Sequence, residues 1–317
     1  MVQKRIVLLV LLLLALIVAG CSGGAEAAPG PAAAERAATW LADVHQNDDG
    51  GFTAFSTGAG QAPSDVVGTI DGLTALAAAG DATPALDYLR ANGAALQAMA
   101  AADGGQAGKI VLALRAAGVD PADFAGHDYT ADLAGHLGPE GAFAGDPYKH
   151  ALAMLGTAAA GQTIPAAAVE WLENSQSAGG SWDDGFGTLD NADATAMAVM
   201  ALLAAGRSAD DTAVAAARDF LVAAQPTEGG WGYGAGLPAS ANSTALVIQA
   251  LIALGVDPTA TGGEWAKAGR SPLDALLAWQ GESGAFQADF GDGPSDDFYS
   301  TVQAIPAAAG RTLPPEG

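Results

Sequence analysis

A glutamine followed six positions later by an aromatic residue, with glycines between the two, occurs four times: Gln46 and Phe52, Gln176 and Trp182, Gln225 and Trp231, Gln280 and Phe286. Two worn copies accompany them, "GPEGAF" ending at Phe143 and the Gly104–Gly105 pair, which has lost its aromatic. Counting these, the loop returns roughly every 40 to 50 residues, a period that marks a repeat architecture. A repeat of this kind buries its apolar face only against its neighbours, so the fold is a matter of how copies of one unit stack or close.

The unit can be read between the loops. Before each glutamine lies a segment such as "IPAAAVEWLENSQ" or "DTAVAAARDFLVAAQ", whose large apolar residues recur three and four apart, the pattern of a helix with one buried stripe. After each loop comes a second helix almost free of charge in its body, such as "DATAMAVMALLAAG", ending at Gly80, Gly118, Gly161, Gly206 or Gly255, where a left-handed cap would stop it. A helix apolar nearly all round has to be covered on nearly every side. Six such pairs fit between Ala32 and Arg311. A straight solenoid would leave its terminal inner helices bare without polar capping repeats, whereas a ring covers all of them. The expected fold is therefore all-α, an (α/α)6 toroid over 32–312 with a short tail at 313–317. Its alanines and glycines let the inner helices approach closely, and alanine favours the helix.

The first twenty residues differ from the rest. A basic start, an apolar run from Ile6 to Val18 and small residues before Cys21 predict a signal peptide over 1–20, too short in its apolar part to span a bilayer. "IVAGC" resembles a bacterial lipobox, which implies lipidation at Cys21, a flexible tether over 21–31 and an extracytoplasmic, membrane-anchored location. Cys21 is the only cysteine, so no internal disulfide and no cysteine-containing zinc site can form. A formal net charge of -23, with charged residues only 15 % of the chain, argues against a nucleic acid partner.

The glutamine-to-aromatic loop followed by a helix ending "ALxAxG" resembles the repeat of squalene cyclases, terpenoid cyclases and protein prenyltransferases. The closing stretches "ANSTALVIQALIALGVDP" and "DDFYSTVQAIPAAAG" are most similar to bacterial surface proteins akin to the α-domain of intrinsic factor and transcobalamin. The resemblance implies the toroid, and it implies that the loop aromatics pack between neighbouring outer helices while the glutamines bond loop backbone. It also implies a ligand that is apolar or corrinoid-like, cobalamin among the candidates, with a partner protein completing the site because no β-rich second domain follows Gly310.

Polar residues near the starts of the inner helices supply the candidate site. Counting back from the terminal glycines aligns Thr195, Thr244 and His150; matching Gln249 with Gln303 places Asp296 and Asp297 beside Asn242. Two acidic loops add Asp183, Asp184, Asp190, Asn191 and Asp193, and then Tyr299. Two readings stand together for these side chains: helix N-caps, for which Asp, Asn, Ser and Thr are preferred, and the rim of a ligand cavity. No residue qualifies as catalytic. The Asp-x-Asp-Asp acid motif is missing, as are a Gly-x-Ser-x-Gly elbow and histidines at metal spacing. The expected function is a membrane-tethered binding protein holding its ligand at the mouth of the ring. The alternatives are an enzyme acting on an isoprenoid, a glycan-active hydrolase or lyase using the aspartate clusters, and a surface scaffold for another protein.

Overall fold

The computed structural model describes residues 29–315 except 54–57, 186 and 189. The expected signal peptide and Cys21 lie outside the described residues. Six inner helices, α2 (Val66–Ala79), α5 (Gly104–Ala116), α7 (Pro147–Ala159), α9 (Ala192–Ala204), α11 (Ala241–Ala253) and α13 (Phe298–Ala308), each pack against two others in that order, and α13 returns to α2. The ring is closed. Around it run α1 (Pro29–His45), the broken pair α3 (Thr83–Ala91) and α4 (Gly93–Ala100), α6 (Tyr129–Gly135), α8 (Ala166–Asn174), α10 (Thr212–Ala224) and α12 (Pro272–Leu277). The sheet among the described residues is a two-stranded hairpin, β1 (Gln287–Ala288) and β2 (Ser295–Asp296), leading into α13. None of the described helices is long and apolar enough to cross a membrane.

Each inner helix starts on a side-chain cap. Asp65, Asp103, Asp146, Asn191, Ser240 and Asp297 each accept the amide three residues on, satisfying one of the free N–H groups of the first turn. Four of the five terminal glycines, Gly118, Gly161, Gly206 and Gly255, have φ between 71° and 87° and end their helices in the expected left-handed turn. Gly80 departs from this, with φ of -147°, an extended conformation open to any residue. Small residues set the spacing of the ring: a Cβ on Gly156 would come within 2.6 Å of the Gly108 backbone, so α5 and α7 touch main chain to main chain.

The recurring loop joins the repeats. Gln176 Nε2 donates to Gly180 O in its own loop (2.9 Å) and to Ala213 O on the next outer helix (2.8 Å). Gln225 does the same toward Gly229 O (2.8 Å) and Trp265 O (2.9 Å). At the seam, Gln280 donates to Gly284 O and to Ala33 O, both 2.8 Å, and accepts from Arg36, so the last repeat fastens to the first. Trp182 and Trp231 are fully buried, each indole N–H donating 2.8 Å to its own outer helix, at Leu172 O and Leu221 O. The Trp231 ring also lies 6.1 Å from that of Trp265, ahead of the next outer helix, and the Phe52 ring 6.1 Å from that of Phe298 on α13.

Two boundaries differ from the sequence reading. Helix α1 begins at Pro29, inside the stretch read as tether, because Gly30 packs against the end of α13, where a Cβ would meet Ala308 O at 2.6 Å. Past Gly310, Leu313 packs on the core, so the expected tail belongs to the domain.

Candidate functional site

A cavity of about 650 Å³ lies inside the ring, in the size range of small-molecule sites. Its lining follows the caps. The residue six beyond each N-cap faces it in all six repeats: Asp71, Lys109, Leu152, Met197, Leu246 and Gln303. The three polar members come from the adjacent helices α13, α2 and α5, the three apolar members from α7, α9 and α11, so at this level of the ring one side is polar and the other apolar. Asp71 and Lys109 form an ion pair across 2.6 Å on the polar side. At the other end, beyond the helix C-termini, Thr312 donates to Gln249 O (2.8 Å) and its neighbour Leu313 also lines the space, closing it with the segment after the last helix.

Asp193 sits on the first turn of α9, two residues past the Asn191 cap, and is 9 % exposed. Its Oδ1 is buried and has no hydrogen-bond partner. Burial pushes its carboxyl up to about 7; the negative charge of Asp184 adds to this, and a hydrogen bond from Ser243 works against it. The carboxyl thereby keeps its proton through the weakly acidic range, where an ordinary aspartate has lost it. Asp184 is also buried, receiving the Tyr233 hydroxyl at 2.6 Å and the Thr188 amide at 3.1 Å. Burial raises the phenols of both Tyr148 and Tyr233, and the adjacent carboxylates, Asp193 and Asp184 respectively, raise them further.

Of the side chains singled out in the sequence, Asp184, Asn191, Asp193, Gln249 and Gln303 line this cavity. The others do different work. Thr195 and Thr244 are fully buried and accept the backbone N–H of Trp182 (3.1 Å) and Trp231 (2.9 Å). His150 occupies the same place, with Nδ1 accepting from Phe143 N (3.1 Å) and Nε2 facing Ala168 O (2.9 Å). Burial lowers its pKa to about 4, so it is a neutral structural group. These three hold the loop to the inner helix and are corrected as ligand contacts. Thr195→Val should lower thermal stability by about 1–3 kcal/mol, the cost of leaving the Trp182 N–H unpaired in the core. Ligand affinity measured alongside the melting curve should not change.

The remaining candidates also lie off the cavity. Asp183 accepts Gly185 N (2.8 Å) and Asp190 accepts the Ser181 hydroxyl (2.7 Å), both within their own loop. Asn242 accepts the Ser300 hydroxyl (2.6 Å), and Asp296 is exposed in the hairpin. Asp297 is the cap of α13, and Tyr299 lies at the first turn beyond it without reaching the lining. The misplacement of Asp296 and Asp297 has one source. Thr301 receives Phe286 N (2.9 Å) as Thr244 receives Trp231 N, so the last repeat aligns by its cap and not by its glutamine. Among the described residues no three His, Cys, Asp or Glu side chains are grouped to hold a metal ion.

Tyr148, Tyr233, Asp71 and Lys109 were not anticipated. Counting from the caps would have found Asp71 and Lys109, and Tyr148, which shares the register position of Asp193. Tyr233 lies in a loop outside that register, and no sequence signal marks it.

The geometry agrees with what known proteins show. Residues 141–238 match the family model of the squalene-hopene cyclase C-terminal domain. No curated protein matches the chain by sequence. Among solved structures, the type II terpene cyclase MstE from Scytonema is similar over 89 % of this chain and 98 % of its own, at 16 % identity and a TM-score of 0.62. MstE has also been solved with geranylgeranyl dihydroxybenzoate, its substrate. The ent-copalyl diphosphate synthase of Streptomyces platensis aligns over 76 % of this chain and 49 % of its own, at 22 % identity and a TM-score of 0.50. An unsaturated glucuronyl hydrolase from Bacillus sp. GL1 aligns over 88 % and 94 %, at 12 % identity and a TM-score of 0.57.

A closed ring of six helical hairpins is an α/α toroid. The fold of this chain is similar to that of the terpene cyclases among these structures. The expectation of a tethered protein that only holds an apolar or corrinoid-like ligand is thereby overturned: the cyclases among these neighbours, one captured with its isoprenoid substrate, back the enzyme alternative instead.

Proposed function

We propose that this protein is an isoprenoid-cyclising enzyme that starts its reaction by protonation, with Asp193 as the acid. One observation carries the reading: the buried carboxyl of Asp193, raised to about 7, opens on a cavity lined in part by leucine, methionine and isoleucine side chains. A general acid works best when its pKa lies near the working pH. Leu152, Met197, Leu246 and Ile252 would take the hydrocarbon and keep water from the cation that forms, and the rings of Tyr148 and Tyr233 stand near the acid, where aromatic faces attract positive charge. The Asp-x-Asp-Asp motif is not needed for such an acid, because burial and the charge of Asp184 supply what keeps the proton on.

The test is incubation of the purified protein with a panel of polyprenyl acetates, with and without a terminal epoxide, followed by gas chromatography and mass spectrometry. A product of unchanged mass and altered retention is expected from at least one member. Saturable binding of every member with no isomeric product would defeat the proposal, as would turnover of an unsaturated glucuronide. Lipidation at Cys21 is a separate proposal, supported by the basic start, apolar run and small residues before it. It is checked by loss of fatty-acid labelling in Cys21→Ser.

A further inference from the structure

The inner helices do not close the far end of the ring by themselves. Their last turns are built largely of alanine, as in "ALAAAG" ending at Gly80 and "LRAAG" ending at Gly118, and Ala77, Ala78 and Ala116 face the cavity with side chains of a single carbon. The chain beyond α13 fills the gap. It turns at Gly310, whose φ of 70° lies in the left-handed region, and the Arg311 amide returns to Pro306 O on α13 (2.9 Å). The Thr312 hydroxyl donates to Gln249 O on α11 (2.8 Å) and lies 3.6 Å from Met200 Sδ on α9, so this strap reaches from the last inner helix past its neighbour to the one beyond. Residues 312–315 are half-buried, Leu313 packs on the core, and both Leu313 and Pro315 line the cavity.

The lining changes along the axis of the ring. It begins at Asp146 and Asn191, the caps of α7 and α9, beside Tyr148 and Tyr233, and it ends against Ile252 and Pro306 in the last turns of α11 and α13 and against the strap. Helices of 13 residues such as α7 and α9 rise about 20 Å, and the cavity follows most of that length. A ligand with one polar end and an apolar chain therefore lies along the axis with its chain toward the strap.

We propose that the strap, residues 311–315, is a floor that sets the longest chain the cavity accepts, with the Leu313 side chain as the stop. The inference rests on the isoprenoid reading for the chemistry of the chain and adds its length. Depth is set here by a segment that can vary freely. The inner helices are fixed by contacts as close as that of Gly108 with Gly156, where a larger side chain would part them, whereas Leu313 lies outside that packing. A change at Leu313 moves the floor and leaves the ring as it is.

Titration of the purified protein with two homologous series finds the limit: the prenols geraniol, farnesol, geranylgeraniol and geranylfarnesol, and straight-chain primary alcohols of matching length. Affinity should rise with each added unit as more apolar surface is buried, then fall sharply where the chain meets Leu313. In Leu313→Trp the fall should come at least one isoprene unit earlier, with the longest prenol that the parent binds weakened about 10-fold or more and the shortest unchanged. Leu313→Ala and Thr312→Val should each move the limit one unit later. The second keeps the size of the side chain and removes only the bond to Gln249 O, so it tests the floor without touching the packing of Leu313 on the core. Melting curves confirm that each variant is folded. A folded Leu313→Trp protein that weakens every length alike, or none, overturns the inference, as does a limit that stays in place in both of the other variants. Prenol binding with an unmoved limit removes the floor and keeps the isoprenoid reading. A limit that moves in the straight-chain series while no prenol binds keeps the floor and removes the isoprenoid reading, and binding in neither series removes both.

Discussion

Asp193→Asn will abolish turnover, by about 100-fold or more, while the protein stays folded and still binds its ligand. The substitution keeps the size of the side chain and removes the proton. With Asp193 as the proposed acid, the rate of the parent protein should be flat below about pH 7 and fall above it, because such an acid acts in its protonated form and this carboxyl gives up its proton near that value. Stability should move the opposite way between the two proteins. An aspartate with a folded pKa of about 7, against an ordinary value of 3.8, holds its proton in the fold where the unfolded chain has released it. Its contribution to stability is therefore complete below about pH 4 and is lost as pH rises to about 7, at about 1.4 kcal/mol for each pH unit crossed between those values. The asparagine variant has no such loss, so at pH 8 it should melt above the parent. An inactive variant that also melts lower at pH 8 would mean that the carboxylate supports the fold and the acid lies elsewhere.

Gly180→Ala will destabilise the ring far more than the same change at Gly229, although both glycines hold the same position in the glutamine-to-aromatic loop. Gly180 has φ of 88° and Gly229 has φ of 96°, so each substitution carries a backbone cost of about 1–3 kcal/mol. Only at Gly180 is there also no room: a Cβ would lie 2.3 Å from Ala216 O on the next outer helix. At Gly229 the nearest atom is 3.7 Å away, an ordinary contact. Pushing a main-chain carbonyl aside adds about 1–3 kcal/mol and parts two repeats that Gln176 holds together. Denaturant titration of the two variants measures the difference, and equal losses would show that strain in φ is the whole effect.

The glycines, glutamines and aromatics that build these loops can be read directly from the chain, because geometry forces the same residue at the same place in each copy. The ring can be read for the same reason: inner helices as apolar as "DATAMAVMALLAAG" have no other way to be covered. The cavity is harder to see. Its wall is set by a register counted from the caps, and Gln249 lies nine residues beyond its cap whereas Gln303 lies six beyond its own, so a register matched on these glutamines slips by three in the last repeat. Thr195, Thr244 and His150 recur because they fasten a loop, and a recurrence alone does not say whether a side chain faces backbone or ligand. Asp193 is one aspartate among several in its loop. Burial sets it and Asp184 apart from Asp183 and Asp190, and burial belongs to the fold.

The seam between Gln280 and the first outer helix bears on how the chain comes to be folded at all. An open array of repeats can grow from any point, each new copy settling on the one before it. Here α1 and α2 find their last neighbours only when α13 has been synthesised, so the first repeat emerges from the ribosome with two apolar faces bare and some two hundred residues still to come. Pairing the two ends of a long chain is slow, since the entropy of closing so large a loop is lost before the contacts form. The nascent protein should therefore engage holding chaperones early and leave them in one late step, and an arrested chain lacking α13 should stay bound.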